Sequence, residues 1–287
     1  MTIKRIFTDM DGTLLNSKGQ LSKDNAKAIR KANIPLTLVS ARAPMEMMEV
    51  IETLKLQGPQ VAFNGGLIFQ MKNKIIQPLH VNIIPKRTVQ QLLTTIRQSF
   101  PKVSLSYYDI SHWYCDKIDK GIRFEYELTQ QAPTLITDAN RFLLGQENTF
   151  KLMMISFEEI EIQTLEKMLH SLNLTTISIQ RSGKFYLEIT SKHAQKSKGI
   201  HYILKRENLA KMETAAFGDG HNDIPMLKTV GYPIVMENAF DEIKSLAYKI
   251  TKSNDQDGVG YGIQKFIKKV NHGQHSSNRK NKRLFSF

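Results

Sequence analysis

Ile3-Lys4-Arg5-Ile6-Phe7-Thr8-Asp9-Met10-Asp11-Gly12-Thr13 decides how the rest of the chain is read. Ile3, Ile6 and Phe7 form a short apolar run that stops abruptly at Asp9. Two carboxylates then leave the end of a predicted strand with one residue between them, and Gly12 permits a sharp turn just beyond. In open α/β sheets, ligands bind beyond the carboxyl ends of the strands. Carboxylates paired in this way hold a cation, exchange protons or attack phosphorus. Asp and Gly are also common turn formers, so on this stretch alone a plain turn is an equal reading.

Working outward, strand and helix patterns alternate. A helix is predicted from about Ser22, a suitable N-cap, to Ala32. Pro35–Val39 reads as a second buried strand, and Pro44 opens a helix running to about Leu56. Gln60–Phe63 reads as a third strand, broken by Asn64-Gly65-Gly66. Such alternation signals a parallel sheet with helices on its faces. The middle of the chain has a different texture. A helix from Pro85 carries Val89, Leu92, Leu93, Ile96 and Phe100 at helical spacing. Strand-like runs follow near 103–108, 111–115 and 151–157, then an amphipathic helix marked by Ile162, Leu165, Leu169 and Leu172, then strands at 176–180 and 185–189. The first texture returns with a helix at 198–206, a strand at 214–217 ending in Gly218-Asp219, a short helix near 223–228, a strand at 232–235 and a helix from about Ala239 to Tyr248. The expected architecture is therefore α/β: a Rossmann-like three-layer core with a parallel sheet, residues 1–81 and 191–270, interrupted by an α+β cap domain at 82–190. Residues 271–287 form a polar, basic tail expected to be disordered.

The chain has 287 residues, 41% hydrophobic and 23% charged, which suits a globular protein with one large or two modest cores. No run of 18 apolar residues occurs, so no membrane span is expected. A single cysteine, Cys115, excludes a disulfide framework and a cysteine-rich zinc site, and fits a cytoplasmic setting. The net charge of +13 is spread along the body, with one dense cluster at Arg279, Lys280, Lys282 and Arg283 in the tail. That spread argues against dedicated nucleic-acid binding.

Three further segments carry candidate chemistry. Val39-Ser40-Ala41-Arg42 ends the second strand; a hydroxyl there can donate to a phosphate oxygen, with backbone N–H groups beside it. Lys196-Ser197-Lys198-Gly199 opens a helix after the insert, where a lysine can neutralise an anion. Gly218-Asp219-Gly220-His221-Asn222-Asp223 places two carboxylates four residues apart across a turn into a helix. This is a pattern that suits Mg²⁺, which takes few carboxylates and keeps several waters. No second His or Cys stands at zinc spacing, so His221 reads as an ordinary loop residue. Each segment has a bland reading alone, but all fall at the end of a predicted core strand or the start of its helix.

Taken in order, Asp9-x-Asp11-Gly-Thr, Ser40, Lys196 and Gly218-Asp219-x-x-Asn222-Asp223 resemble the four motifs of the haloacid dehalogenase superfamily. The long insert, the Asn64-Gly65 step, Leu187-Glu188-Ile189, Asn238-Ala239 and Asn254…Asp257-Gly258-Val259 resemble its Cof-type phosphatases, over about residues 1–270. The resemblance implies that Asp9 attacks phosphorus and that Asp11 is the general acid/base. It implies Mg²⁺ held by Asp9, the Asp11 backbone carbonyl, Asp219 and, through water, Asp223. Ser40 and Lys196 would hold the phosphoryl group, with Met10, Ala41 and Asn222 beside them. Arg42, Asn64, Gly65 and Arg181 are candidate substrate or cap contacts. His112-Trp113-Tyr114, Arg123–Tyr126 and Lys184 are weaker candidates, read individually as packing or exposed charge. Lys198 is the alternative to Lys196. The second motif departs from the usual Thr-Gly-Arg, yet Ser40 keeps the hydroxyl. The expected substrate is a small phosphorylated metabolite, a sugar phosphate or a phosphorylated cofactor. A phosphosugar mutase and a non-catalytic phosphate- or nucleic-acid-binding module are the rival readings.

Overall fold

The computed structural model describes residues 2–267, so the basic segment 271–287 lies outside the described residues. The chain begins with β1 (Arg5–Thr8), α1 (Lys23–Ala32), β2 (Leu36–Leu38), α2 (Pro44–Leu54), β3 (Gln60–Ala62), β4 (Leu67–Lys72) and β5 (Ile75–Val81). The insert supplies α3 (Lys86–Ser99), β6 (Ser104–Tyr108), β7 (Trp113–Cys115), α4 (Lys120–Thr129), β8 (Thr134–Leu135), α5 (Ala139–Leu143), β9 (Lys151–Ile155), α6 (Glu159–Ser171), β10 (Ile177–Ser182) and β11 (Tyr186–Ser191). It closes with α7 (Lys196–Arg206), β12 (Thr214–Gly218), α8 (Ile224–Thr229), β13 (Tyr232–Val235), α9 (Asp241–Lys244), β14 (Lys249–Ile250) and α10 (Gly258–Gly262).

The core sheet runs β14-β13-β12-β1-β2, and every pair is parallel. Its strands β1, β2 and β12 are buried on both faces, as the centre of a parallel sheet requires, while the edge strand β14 is exposed. Alternate residues serve opposite sides: Ile6, Ala215, Phe217 and Ile234 pack with Ile29 of α1 and Ile263, whereas Phe7, Ala216 and Val235 pack with Ile200 and Ile203 of α7 and Met226 of α8. That alternation makes three layers from one sheet. Ser22 caps α1 as expected, its hydroxyl accepting the Asn25 amide.

The insert builds a six-stranded sheet, β10-β11-β9-β6-β7-β8, antiparallel except where β7 meets β8. Leu105, Tyr107, Leu152, Met154, Leu187 and Ile189 point to α3 and α6, closing a core of their own. The other face, with Tyr108, Met153 and Ile155, joins the apolar cluster of the core domain.

Four points depart from the sequence reading. Gln60–Phe63 touches the parallel sheet only through a single bridge, Val39 to Val61, and then pairs antiparallel with β4. The Gln60 side chain takes the place of a ladder bond, accepting the Leu38 amide at 2.7 Å. The hairpin β4–β5 was not anticipated, because its turn, Asn73-Lys74, holds positive φ at both positions without the glycine that usually marks it. The helix expected from Ala239 to Tyr248 is only Asp241–Lys244; Leu246 and Ala247 bond three residues back, and the chain tightens into turns before β14. An unforeseen helix, α4, starts at Asp119, whose carboxylate caps the Ile122 amide. Among the described residues no helix is long and apolar enough to cross a membrane.

Gln60→Ala leaves the buried Leu38 amide without its acceptor. It is expected to cost about 1–3 kcal/mol, measured by urea unfolding against the wild type.

Candidate active site

β1 and β12 are adjacent and parallel, so Asp9 and Asp219 leave the same edge of the sheet side by side. The loop after β1 turns at Gly12, with φ 74°, and a Cβ there would lie 2.4 Å from Asp219 Oδ2. Glycine is therefore required twice, for the left-handed backbone and for the close approach. Thr13, buried behind that turn, donates to Asp219 Oδ1 at 2.6 Å. Asn238 donates to Gly12 O and Asn254 to Leu15 O, while the Asn254 amide donates to Asn238 Oδ1. These two asparagines brace the loop from the far end of the chain.

The N-terminus of α7 delivers Lys196 beneath that edge. Its Nζ stands 2.5 Å from Asp9 Oδ1 and 2.7 Å from Asp223 Oδ1, and all three side chains are buried. Asp223 Oδ2 accepts the Asp219 and Gly220 amides at 3.0 Å each. Lys198 faces outward and pairs with His193, so Lys196 is the lysine that reaches the carboxylates. Gly65 fixes this arrangement from the other side: its φ is 100°, and a Cβ would sit 2.4 Å from Gln195 O, one residue before Lys196. Gly65 thus acts on the backbone at the head of α7.

Asp9, Asp219 and Asp223 each present an oxygen within 4.8 Å of the others. Three carboxylates against one ammonium leave two excess negative charges in a largely buried space. Burial first, then the charge of Asp223, pushes Asp9 well above the usual carboxylate range, and Lys196 opposes this. Burial alone would lower Lys196, but Asp223 and Asp9 more than reverse it, so the ammonium stays charged. Asp219 is pushed up to about 6, chiefly by burial and against the Thr13 hydrogen bond. An all-oxygen, anionic trio of this kind fits a hard divalent cation.

Asp11 does not join the trio with its side chain. Arg42 grips its carboxylate with two bonds, Nε to Oδ2 at 2.9 Å and Nη2 to Oδ1 at 2.6 Å. The Asp11 side chain is thus engaged by Arg42, and Arg42 is spent on Asp11. Ser40 is fully buried, and its Oγ accepts the Arg42 amide at 3.1 Å. The Met10 side chain is packed in the apolar core, so its backbone alone is available.

A cavity of about 720 Å³ opens over these groups, lined by Asp9, Asp11, Ala41, Arg42, Asp219 and Asn222 from the core. Glu125, Lys151, Tyr186 and Glu188 from the insert line its other wall, and Glu46 of α2 joins them. A second cavity of about 570 Å³, on the Lys196 side, is lined by Asn64, Arg181 and Asn222. Asn64 Oδ1 and Arg181 Nε are buried without a hydrogen-bond partner. Trp113 is instead buried against Tyr108, Arg123 bonds to Ile118 O, and His221 pairs with Glu242 on the surface. Sequence reasoning missed the polar wall of the insert. The signal was the strict alternation in Tyr186-Leu187-Glu188-Ile189-Thr190 and the lysine opening Lys151-Leu152-Met153.

A haloacid dehalogenase-like hydrolase family model matches residues 6–263. The chain belongs to this family. It is 28% identical over 286 residues, covering 92% of the chain and 98% of the relative, to the 5-amino-6-(5-phospho-D-ribitylamino)uracil phosphatase YwtE of Bacillus subtilis. A haloacid dehalogenase-like hydrolase from Bacteroides thetaiotaomicron superposes with a TM-score of 0.84 at 26% identity, covering 92% of this chain and 99% of that one. TM0651 from Thermotoga maritima shares the fold, with a TM-score of 0.83 at 23% identity over 93% and 98% of the two chains. The chain is a phosphoric monoester hydrolase of this family.

The raised value of Asp219 has a sign that can be checked. Its ordinary value is 3.8 and the folded value about 6, so ionisation costs the metal-free fold nothing below the first and the full amount above the second. Asp219→Asn is therefore expected to stabilise the metal-free protein at pH 7.5 by about 1–3 kcal/mol and to give little gain at pH 4. Thermal melts at both pH values test this. Addition of a divalent cation should raise the Tm of the wild type and leave that of the variant unmoved.

Proposed function

We propose that this chain is a Mg²⁺-dependent phosphatase of small phosphate monoesters that works through an aspartyl-phosphate on Asp9. The observation that carries the reading is Lys196, buried between Asp9 and Asp223, with Asp9 itself lining a cavity sized for a metabolite. Asp9, Asp219, Asp223 and the Asp11 carbonyl would hold Mg²⁺, which neutralises phosphoryl charge when bound.

The residues then divide the work. Lys196 holds Asp9 Oδ1, which orients the carboxylate and leaves Oδ2 to attack phosphorus. Lys196 also offsets repulsion between the anionic nucleophile and an anionic ester. As the bond from Oδ2 to phosphorus forms, the ester bond breaks, and Asp11, released from Arg42 and protonated once the substrate is bound, gives its proton to the departing alkoxide. Asp11, now a carboxylate, takes a proton from water, whose oxygen attacks phosphorus and releases orthophosphate from Asp9. Arg42 sets the direction of the Asp11 carboxylate between these steps. Ser40 and the amides near Ala41 would receive the phosphoryl oxygens. Phosphoryl transfer depends mainly on such positioning and charge neutralisation. Sugar phosphates and phosphorylated cofactors are the substrate classes that suit the cavity. The substrate named for the Bacillus relative, a phosphorylated ribitylamino-uracil, belongs with them.

The test is a panel of p-nitrophenyl phosphate, sugar monophosphates, flavin mononucleotide, pyridoxal phosphate and the phosphorylated ribitylamino-uracil, each with and without Mg²⁺. Phosphate release should require Mg²⁺, and Asp9→Asn should lower kcat by at least ~10³-fold. Wild-type turnover in that variant would remove Asp9 as nucleophile. Asp11→Asn should let phospho-enzyme accumulate with p-nitrophenyl phosphate, seen as a burst followed by slow turnover. Steady-state turnover at the wild-type rate in that variant would refute the acid/base assignment.

A further inference from the structure

The lower face of the inserted sheet carries polar groups that the phosphoryl chemistry does not use. In β9 and β11 the side chains alternate, so Leu152, Met154, Leu187 and Ile189 close the insert's own core while Lys151, Tyr186 and Glu188 face the other way. Lys151 is only 4% exposed, lies 4.6 Å above the Tyr108 ring, and has a single carboxylate partner, Glu188 at 3.4 Å. An ammonium has three donors, so a buried lysine with one long partner keeps capacity for acceptors brought by a ligand. Glu125, 7% exposed, accepts the Tyr186 hydroxyl at 2.7 Å. These four residues line the same cavity as Asp9, Asp11 and Asp219.

We propose that Lys151, Glu188, Glu125 and Tyr186 form the site for the leaving group, and that it takes a hydroxyl-rich, uncharged or cationic group and rejects a second phosphate. The inference rests on the phosphatase reading above and deepens it. Adjacent hydroxyls match a wall that both donates, from Lys151, and accepts, at Glu188 and Glu125. A phosphate there would meet two carboxylates against one ammonium, with Glu46 of α2 adding a third negative group to the same wall. The nearby cations do not redress this balance. Arg42 is committed to Asp11, Lys196 to Asp9 and Asp223, and Lys18 is exposed at the rim. Like charges placed together in a partly dry site are strongly disfavoured, which makes the wall selective by repulsion as well as attraction.

The experiment compares kcat/KM of the Mg²⁺-loaded enzyme for sorbitol 6-phosphate, fructose 6-phosphate, fructose 1,6-bisphosphate and p-nitrophenyl phosphate. The wild type should prefer fructose 6-phosphate to the bisphosphate by at least about tenfold. Glu188→Gln, which keeps shape and removes charge, should narrow that preference. Lys151→Met should lower the ratio of sorbitol 6-phosphate to p-nitrophenyl phosphate by about tenfold or more, mainly through KM. Equal use of mono- and bisphosphate by the wild type would overturn the proposal, as would an unchanged ratio in Lys151→Met together with unchanged discrimination in Glu188→Gln. Absence of p-nitrophenyl phosphate turnover in the wild type would instead overturn the phosphatase reading, and this proposal with it.

Discussion

Asp9, Asp223 and Asp219 share one nearly dry space with the Lys196 ammonium, where β1, β12 and the head of α7 converge. A buried lysine between two carboxylates survives only because each partner is held elsewhere. Asp223 is held by two backbone amides, Asp219 by Thr13, and Asp9 by its place at the end of a central strand. The ammonium cannot balance three carboxylates, so the site is built electron-rich and suited to a cation. The left-handed turn at Gly12, the close approach at Gly65 and the bracing by Asn238 and Asn254 all serve this one cluster. Their scattering over the chain follows from the parallel sheet, which gathers distant loops along one edge.

The inserted sheet completes the site from above. One face is apolar and buried under α3 and α6, which gives the insert a core of its own. The opposite face trades apolar residues for Lys151, Tyr186 and Glu188 where it overhangs Asp9, and reverts to Met153 and Ile155 where it meets the core domain. Period-two alternation in the strands thus separates a core-packing face from a cavity-lining face within single segments of five or six residues. The phosphoryl end of the cavity is set by the core and the opposite end by the insert. On the proposed reading, chemistry and selectivity reside on different pieces of chain.

Much of this was written in the sequence. Abrupt strand ends followed by Asp9, Ser40 and Asp219, a lysine at the next helix start, and the change of texture between the two halves of the core gave the fold class and the order of the motifs. These are local signals of periodicity, caps and breakers, and local physics fixes them. Where local signals were weak, the reading failed. The Asn73-Lys74 turn lacks glycine, α4 buries only Gly121, Ile122 and Glu125, and the segment after Lys244 tightens into turns instead of continuing as a helix. Tertiary structure alone decided that Lys196 and not Lys198 reaches Asp9, that Arg42 grips Asp11, and that Glu125, Lys151 and Glu188 share a wall. The reason is distance along the chain: Lys196 and Asp9 are 187 residues apart, and Tyr186 and Glu125 are 61 apart. No periodicity in either segment encodes which partner the folded sheet will bring to it.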